Sequence, residues 1–543
     1  MRKTAFLLLL VSLLFTGCGG GGGGSTSTGG NNATLTSISV APSSPNVVVQ
    51  GTAQFKATGM FSDGTSKDVT STVIWSSSSS TVASVSSSGL ATGLKAGATT
   101  ITATSGSLTG NTNLSVTVPQ FFGMITNNIN HPWPATLIPV ASWRSLGSLV
   151  KWADINTGDG VYDWSALDQW MSRAQNGGQD VMFTLFGTPS WASSRGNRCI
   201  IQGVPAGCLG TPDNGCAFNA ENGPGVCDPP IDLDCNGAGT DQHFKDFVTA
   251  LLNHVGPGKI KYWELWNEPN NDNEWNAEQD CASNPNATYQ ILAHMGQDLK
   301  DIVSPLDPNA KFTMPANPEN NSGDPADWMI NYFANTNAAN FTDIITFHGY
   351  VNFNNQCPNC PVPEDFVPLV QSVRSAMATA GQQDKPLFDT EASWGQGSGL
   401  DDPDQQAAFL ARFYLLHMSA KVDKFYWFGW DQVNTSLFDS TTNGLNKAGV
   451  AYKQIYTWTS ILASAAQNCQ STGTQWTCDL SGPNGQAEAI WDTSQTCSGG
   501  VCTTIPVAVG SQFKSYLDLD GNKNSISNQK VPIGAKPVLL VTN

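Results

Sequence analysis

The stretch KYWELWNEPN, residues 261–270, decides the central part of the fold. Its apolar run is typical of a buried strand. Pro269 has no backbone N–H to give to a ladder and is expected to end that strand. Glu268 is therefore predicted at the carboxyl end of a strand. Glu264 lies inside the same strand and is predicted to be a paired structural carboxylate.

A second stretch, KPLFDTEASWG at residues 385–395, has the same character. An apolar run follows Pro386, and Glu391 is predicted at the end of the strand. Asp389 is two residues earlier, so strand periodicity would place it on the same face. Asp389 is therefore the chief competitor of Glu391 for any role at that face.

Strands and helices alternate on both sides of these stretches, which predicts a central (β/α)8 TIM barrel at 119–465. A Cys-rich insertion at 192–240 would follow the third strand. In such barrels, function lies at the carboxyl ends of the strands. Strands are predicted at 121–126, 137–143, 180–186, 260–266, 311–314, 344–348, 386–390 and 424–430. Amphipathic helices are predicted at 164–176, 243–254, 289–303, 325–333, 366–380, 405–420 and 452–464.

The segments on either side of the barrel consist of short strands, so the chain is predicted to be multidomain. Residues 34–118 alternate short apolar runs with turn signals, which predicts an N-terminal β-sandwich. Residues 466–543 predict a C-terminal β-sandwich accessory domain. Within it, DLDGNKN at 518–524 resembles the start of a calcium loop but lacks the closing Glu, and a hairpin turn explains it equally well.

The first 33 residues are predicted to be an export signal and a flexible tether. Residues 1–18 have a positive start and an apolar run too short to span a bilayer, followed by a small residue and Cys18. This pattern resembles a lipoprotein signal peptide with Cys18 lipidated. Residues 19–33 form a Gly/Ser-rich linker. We expect a cell-envelope protein held outside the cytoplasm by lipid only; simple secretion is the alternative.

Composition limits the partners and the chemistry. A net charge of −17 argues against nucleic acid, because phosphate binding needs clustered Lys and Arg. With 6 His in the chain, a metal-dependent hydrolase is disfavoured, and neither metal nor cofactor is predicted. Outside the cytosol, the twelve cysteines beyond Cys18 predict disulfides, of unknown connectivity. Local pairs are expected at Cys357/Cys360, Cys469/Cys478 and Cys497/Cys502, with Cys281 a candidate partner for the 199–235 group.

Two carboxylates on different strands that face one barrel mouth suit the cleavage of a glycosidic bond. One must be protonated, so that it can donate to the leaving oxygen. The other must be ionised, so that it can attack the anomeric carbon. Their proximity and their burial would drive the two pKa values apart.

These motifs resemble those of a known group of enzymes. WELWNEP and FDTEASWG are similar to the fourth- and seventh-strand motifs of clan A glycoside hydrolases. Residues 150–191 are similar to the segment after the second strand of family 39, the β-xylosidase-like group, which also carries a β-sandwich beside its barrel. Residues 85–104, VSSSGLATGLKAGATTITAT, resemble bacterial immunoglobulin-like group 2 domains, which act as spacers or adhesion modules.

The resemblance implies roles for matching residues. Glu268 would be the acid/base, Glu391 the nucleophile, and Asn267 a hydrogen-bond partner of the substrate 2-hydroxyl. Tyr350 would touch the nucleophile. His348 would belong to the site or be a satisfied strand-end histidine.

Four further residues are candidates at the strand ends. Arg144 resembles the clan arginine that keeps the nucleophile ionised, or is part of a structural ion pair. Of Trp427 and Trp430, one is expected to line the substrate subsite and the other to pack in the core. Trp191 is a candidate for the cleft wall.

The function predicted from these residues is retaining hydrolysis of a β-linked oligo- or polysaccharide, with xylan-type substrates favoured. The alternative from another class is a catalytically inactive surface protein that binds carbohydrate or mediates adhesion. The presence of both Glu268 and Glu391 argues against this alternative, because an inactive barrel has no physical need for the pair.

Overall fold

The structure of the chain is a computed structural model. It describes residues 33–542 apart from residues 50, 118, 129, 134–136, 148, 176–177, 195–225, 272–273, 276, 278–280, 319–323, 352–361, 396–399, 463 and 483–484. Cys18, the predicted tether, Cys357, Cys360 and most of the predicted Cys-rich insertion lie outside the described residues. Among the described helices, none is both long enough and apolar enough to cross a bilayer.

The N-terminal part of the described chain is a domain of short strands around its own core. Its strands are β1 Leu35–Ala41, β2 Asn46–Val48, β3 Thr52–Gln54, β4 Lys56–Phe61, β5 Ser66–Asp68, β6 Ile74–Ser77, β7 Ala83–Val85, β8 Leu90–Gly93, β9 Gly97–Ser105 and β10 Leu108–Thr117. They form sheets in the orders β1-β4-β5, β2-β10-β9-β6 and β3-β8-β7. Along β9, alternate residues Thr99, Ile101 and Ala103 are buried, which is the period of a strand with one face on a core. The predicted all-β fold of this segment is confirmed.

The central part of the chain is a closed parallel barrel. Its strands and those of its loops are β11 Phe122–Ile125, β12 Ser142–Arg144, β13 Asn156–Gly158, β14 Val161–Tyr162, β15 Asp180–Leu185, β16 Tyr262–Leu265, β17 Lys311–Phe312, β18 Ile345–Phe347, β19 Leu387–Ala392, β20 Lys424–Trp427, β21 Phe438–Asp439 and β22 Gly444–Leu445. Two pairs, β13–β14 and β21–β22, are loop hairpins. The other eight form one sheet in the order β17-β16-β15-β12-β11-β20-β19-β18. A parallel bridge between Thr313 and Ile344 joins its two end strands and closes the predicted barrel.

Helices cover the outside of this barrel. They are α1 Trp152–Ile155, α2 Ser165–Gln175, α3 Gln242–Val255, α4 Ala287–Val303, α5 Pro325–Asn335, α6 Phe366–Thr379, α7 Pro403–Ser419 and α8 Lys447–Leu462. All seven predicted helices are present with ends shifted by a few residues, because the apolar stripe marks a helix better than its termini. Helix α1, of four residues, is too short to show a period. The barrel strands are almost wholly buried, as expected for a parallel sheet covered by helices.

The C-terminal part is rich in antiparallel strands. They are β23 Gln467–Thr472, β24 Gln475–Asp479, β25 Ala487–Asp492, β26 Cys497–Ser498, β27 Val501–Cys502, β28 Thr504–Ala508, β29 Ser515–Leu517, β30 Lys523–Ser525, β31 Lys530–Gly534 and β32 Val538–Val541. Six form one sheet, β23-β24-β25-β32-β29-β30, and β28 pairs with β31. Along β25, Ala489 and Trp491 join the barrel core, whereas Ile490 joins a separate core with Val531 and Ile533 of β31. The sheet is therefore packed on both faces.

Three described disulfides join neighbouring segments. Cys235 is bonded to Cys281, 46 residues away, and thus ties the insertion to the loop before α4. Cys469–Cys478 and Cys497–Cys502 close local hairpins, as the spacing predicts. The DLDGNKN stretch is the turn between β29 and β30. There Asp518 accepts hydrogen bonds from the backbone N–H of Asp520 and Asn522, which favours the hairpin interpretation over the calcium loop.

Candidate active site

Glu268 lies just beyond the end of the fourth barrel strand, as predicted. Its backbone N–H donates to the carbonyl of Ala316 beyond the fifth strand, at 2.9 Å. Trp266 and Glu268 adopt positive φ angles of 62° and 43°, which is rare for residues other than glycine. Such strain persists only where the surroundings hold it, and it is concentrated at functional sites. This backbone path holds the Glu268 carboxylate 2.7 Å from Nδ1 of His348.

Glu391 lies in β19, the seventh strand of the barrel, and two residues hold its side chain. Nη1 of Arg144 donates to Oε2 at 2.7 Å, and the hydroxyl of Tyr350 donates to Oε1 at 2.9 Å. Glu391 is 6% exposed. Both of its oxygens therefore accept from strong donors, which favour the charged form of the carboxylate, whereas its burial opposes that form.

Arg144, at the end of the second strand, connects the predicted site residues. It is fully buried and donates in three directions. Besides Glu391, it donates through Nε to Oε2 of Glu264 at 2.5 Å and through Nη2 to Oδ1 of Asn267 at 2.8 Å. Thr184 donates a further hydrogen bond to Glu264 at 2.6 Å. Glu264 is thus a paired carboxylate, as predicted; its link to Thr184 carried no signal in the sequence.

Asn267 is placed by the same network. The bond from Arg144 occupies its amide oxygen, so its amide N–H groups are left to face the site as donors. A rigid guanidinium fork makes this arrangement specific, since its donors point in fixed directions in one plane, whereas the three donors of a lysine all start from one nitrogen.

The two glutamates sit in different electrostatic surroundings. Burial raises the pKa of Glu268 to about 7, against weaker lowering by Asn271 and Arg144. Burial also raises the pKa of Glu391, but there a protonated His348, the charge of Arg144 and the Tyr350 hydrogen bond act to lower it. Burial lowers the pKa of His348 to about 4, so this imidazole is neutral at pH 7. At neutral pH, a proton is therefore available on Glu268, whereas Glu391 has the donors that stabilise an anion.

Glu268, His348 and Glu391 each offer an atom to one small volume, and these atoms all lie within 4.8 Å of one another. A set of two carboxylates and one imidazole could in principle contact a cation. Arg144 already contacts Glu391, however, and its positive charge would oppose a second cation there. An oxygen of Glu268 therefore lies within 4.8 Å of an oxygen of Glu391.

The prediction that Asp389 shares the face of Glu391 is wrong. Asp389 is fully buried and contacts Nε2 of His417 in α7, at 2.8 Å, on the helix side of the strand. The pairing of β19 with β20 is irregular between Asp389 and Ala392, which breaks the two-residue alternation. Asp389 instead accepts hydrogen bonds from the backbone N–H of Gly349 and Glu391, and so supports the backbone at both strand ends.

The three tryptophans that were predicted at the cleft lie in two different settings. Trp427 and Trp430 are both fully buried, and they donate to the carbonyls of Thr435 and Pro132. Both pack as core side chains, although one was expected to face the substrate. Trp191 donates to the carbonyl of Asn156 and lines a separate cavity of about 330 Å³ between the β13–β14 hairpin and α3. Its predicted place in the cleft wall stays a prediction.

Gly349 is a further requirement of the site that sequence reasoning missed. A Cβ atom added there would lie 2.1 Å from Oδ2 of Asp389. We expect Gly349→Ala to displace Asp389 from His417 and to destabilise the protein by about 1–3 kcal/mol. Urea unfolding measures this change. Gly158→Ala, where the nearest atom to the added Cβ is 3.5 Å away, is the matched control and should stay within about 0.5 kcal/mol of the wild type. Equal effects of the two variants would contradict the packing argument.

Residues 237–452 match the family model described as "Glycosyl hydrolase catalytic core". This segment is a glycosyl hydrolase catalytic core. Residues 34–118 match the model described as "Bacterial Ig-like domain (group 2)". The chain therefore combines a bacterial Ig-like domain with a glycosyl hydrolase catalytic core.

Individual relatives of the catalytic core and its neighbouring domains are distant. A curated relative, Ice-binding protein 1 of Shewanella frigidimarina (strain NCIMB 400), is 31% identical over 179 residues, or 30% of this chain. The chain spans only 20% of that relative's length. A monomeric β-xylosidase from Caulobacter crescentus CB15 gives a TM-score of 0.47 at 14% identity, covering 78% of this chain and 95% of that one. A GH10 xylanase from termite gut with a bacterial Ig-like domain gives 0.39 at 14% identity, covering 75% and 97%.

Proposed function

We propose that the catalytic core is a retaining β-glycosidase or glycanase, with Glu391 as nucleophile and Glu268 as acid/base. The observation that carries the proposal is the placement of the two carboxylates, with an oxygen of each within 4.8 Å of the other and with different surroundings. Retaining enzymes separate the two carboxyl groups by about 5–5.5 Å, whereas inverting enzymes leave about 6.5–9.5 Å for a water molecule. The short gap supports double displacement.

The first step forms a covalent intermediate. An oxygen of Glu391 attacks the anomeric carbon, and the bond from that carbon to the glycosidic oxygen breaks. Glu268 gives its proton to the departing oxygen, so the leaving group departs as a neutral alcohol and Glu268 becomes a carboxylate. Arg144 and Tyr350 hold Glu391 in position before the attack, which lowers the entropic part of the barrier.

The second step releases the sugar. The Glu268 carboxylate removes a proton from a water molecule, whose oxygen attacks the anomeric carbon and breaks the bond to Glu391. Glu268 ends protonated and Glu391 ends ionised, so both return to their starting forms. Two inversions at the anomeric carbon give net retention. Asn267 donates to the substrate 2-hydroxyl, and this hydrogen bond strengthens as positive charge develops in the transition state.

The preferred substrate in this proposal is a β-linked polysaccharide of the xylan type, which is the substrate class implied by the sequence resemblance to family 39. The proposed location is the outside of the cell envelope, with lipid on Cys18 as the membrane anchor. The described disulfides support a compartment that is oxidising.

A panel of substrates tests the proposal. Purified protein is incubated with xylan, mixed-linkage glucan and mannan and with aryl β-xylosides and β-glucosides, and reducing ends and product sizes are measured. We expect hydrolysis of at least one β-linked member, with the product first released as the β-anomer by NMR. Binding to a polysaccharide with no hydrolysis of any substrate would instead favour the inactive binding protein. Release of the α-anomer would contradict retention.

The titration of Glu268 predicts the pH dependence of this activity. The acid is protonated below its pKa of about 7 and loses its proton above it. The kcat/KM for a substrate with a poor leaving group should therefore fall about tenfold per pH unit above pH 7. A dinitrophenyl glycoside, whose leaving group needs no proton, should lack this decline when glycosylation limits the rate. A decline shared by both substrates would assign the titration to another group.

A further inference from the structure

A second cluster of ionisable side chains lies outside the barrel mouth, between α3 and α4. Asp241 precedes α3, whereas His294 and Asp298 are one turn apart on the same face of α4. One donor atom from each of these three residues lies within 4.8 Å of the other two. None of the three belongs to the glycosidase mechanism.

Asp241 is the unusual member of this cluster. It is fully buried, and neither of its carboxylate oxygens accepts a hydrogen bond from the described residues. An aspartate before a helix ordinarily accepts from the first helical N–H groups. Here Asp232 accepts from the N–H of Gln242 instead, and also from the hydroxyl of Thr240. Asp241, at a φ of 47°, makes no such cap and is directed into the cluster.

Acidic side chains outnumber basic ones in this cluster. Asp232, Asp241 and Asp298 are three acids within one small region. The basic groups beside them are Lys245 and His294, whose Nζ and Nε2 lie 3.5 Å and 3.1 Å from Asp298. Lys245 and Asp298 are partly exposed, so their attraction is screened by solvent. An ionised carboxylate that is buried without a hydrogen bond is costly by several kcal/mol, so such a group takes up a proton, is paired or binds a metal.

We infer that Asp241, His294 and Asp298 bind a divalent transition-metal ion, of which zinc is the natural example, in a structural site that joins α3 to α4. Two carboxylates and an imidazole are ligands that zinc accepts in a site completed by water. Calcium and magnesium prefer oxygen ligands only, so the imidazole disfavours them.

Solvent can reach two of the three residues. His294 and Asp298 line a cavity of about 300 Å³ together with Gly237 and Gln290. Asp241 is fully buried beside them. An ion could therefore enter past His294 and complete its shell with water. The Cys235–Cys281 disulfide ties the same region together, so a metal here would add a second crosslink to the insertion.

Calorimetric titration of the chelator-treated full chain with ZnCl2 tests the inference. We expect about one ion per chain in this site and a higher unfolding temperature with zinc than without it. Asp241→Asn and His294→Ala should each weaken zinc binding by more than the roughly 10- to 100-fold that loss of a group supporting a ligand costs. Lys245→Gln should tighten it, since it removes a competing positive charge.

The control is another His–Asp pair, His254 and Asp168, whose ring nitrogen and carboxylate oxygen lie 2.6 Å apart on the surface. His254→Ala should leave zinc binding unchanged. Asp241→Asn should be at least as stable as the metal-free wild type, because it removes a buried carboxylate; circular dichroism and the unfolding temperature check that it folds. Three results would each overturn the inference: no zinc binding by the wild type, zinc binding by Asp241→Asn and His294→Ala equal to that of the wild type, or tighter binding of CaCl2 than of ZnCl2.

Discussion

Glu391→Ala should lose nearly all turnover, with kcat reduced by at least about 10⁴-fold on any substrate that the wild type hydrolyses. Without the carboxylate, no covalent intermediate forms. The cavity left by the side chain is expected to admit azide, which can attack the anomeric carbon from the face that Glu391 used. Added sodium azide should therefore restore part of the activity on a dinitrophenyl glycoside. The product should be a glycosyl azide of inverted configuration, identified by NMR.

The wild type with the same azide concentration is the control, and its products should stay unchanged. An azide product of retained configuration would indicate that Glu391 is the acid/base instead. Turnover of Glu391→Ala close to that of the wild type would remove Glu391 from the mechanism. Because Arg144 loses one of its two carboxylate partners in this variant, its unfolding temperature should be measured alongside the kinetics.

Glu268→Gln should separate substrates by their leaving groups. The amide cannot donate the proton that a sugar alcohol needs, so kcat/KM on a polysaccharide should fall by about 10²–10⁴-fold. A dinitrophenyl glycoside leaves without protonation and should be cleaved at a first-step rate close to that of the wild type. Stopped-flow measurement of the phenolate burst against steady-state turnover gives both quantities, because the second step still lacks its base.

The pH decline above about 7 should also disappear in Glu268→Gln, since the group that titrates is gone. Asn271→Ala is a matched comparison. Asn271 donates a long hydrogen bond of 3.5 Å to Glu268, so its loss should raise the pKa of the acid and move the decline to higher pH. An equal loss of activity on all leaving groups in Glu268→Gln would contradict the acid/base role.

Much of the barrel could be predicted because its signals are local. Each parallel strand is a short, buried apolar run, and each long helix carries an apolar stripe. Glu268 and Glu391 follow from the same signals, since each lies at or near the point where such a run ends. Pro269 marks the end of the fourth strand by its missing N–H.

Other features depend on distant residues and had no local signal. Asp389 turns toward α7 because the pairing of β19 with β20 is irregular, and no local sequence pattern indicates that irregularity. The burial of Trp427 and Trp430 depends on the loops that cover them. Asp241 has no local signal either, because Asp232, which accepts from the N–H of Gln242 in its place, lies nine residues away.

Trapping the covalent intermediate tests the double-displacement mechanism with Glu391 as nucleophile. The reagent is a 2-deoxy-2-fluoro-β-glycoside of the sugar found active in the substrate panel, with a dinitrophenyl leaving group. Its fluorine slows both steps, because both transition states carry positive charge, whereas the leaving group speeds the first step alone, so the intermediate accumulates. Mass spectrometry of the protein and its peptides should show one sugar per chain, attached to Glu391, and no label in Glu391→Ala. A label on any other carboxylate, or an active enzyme that releases product without ever carrying the label, would contradict it.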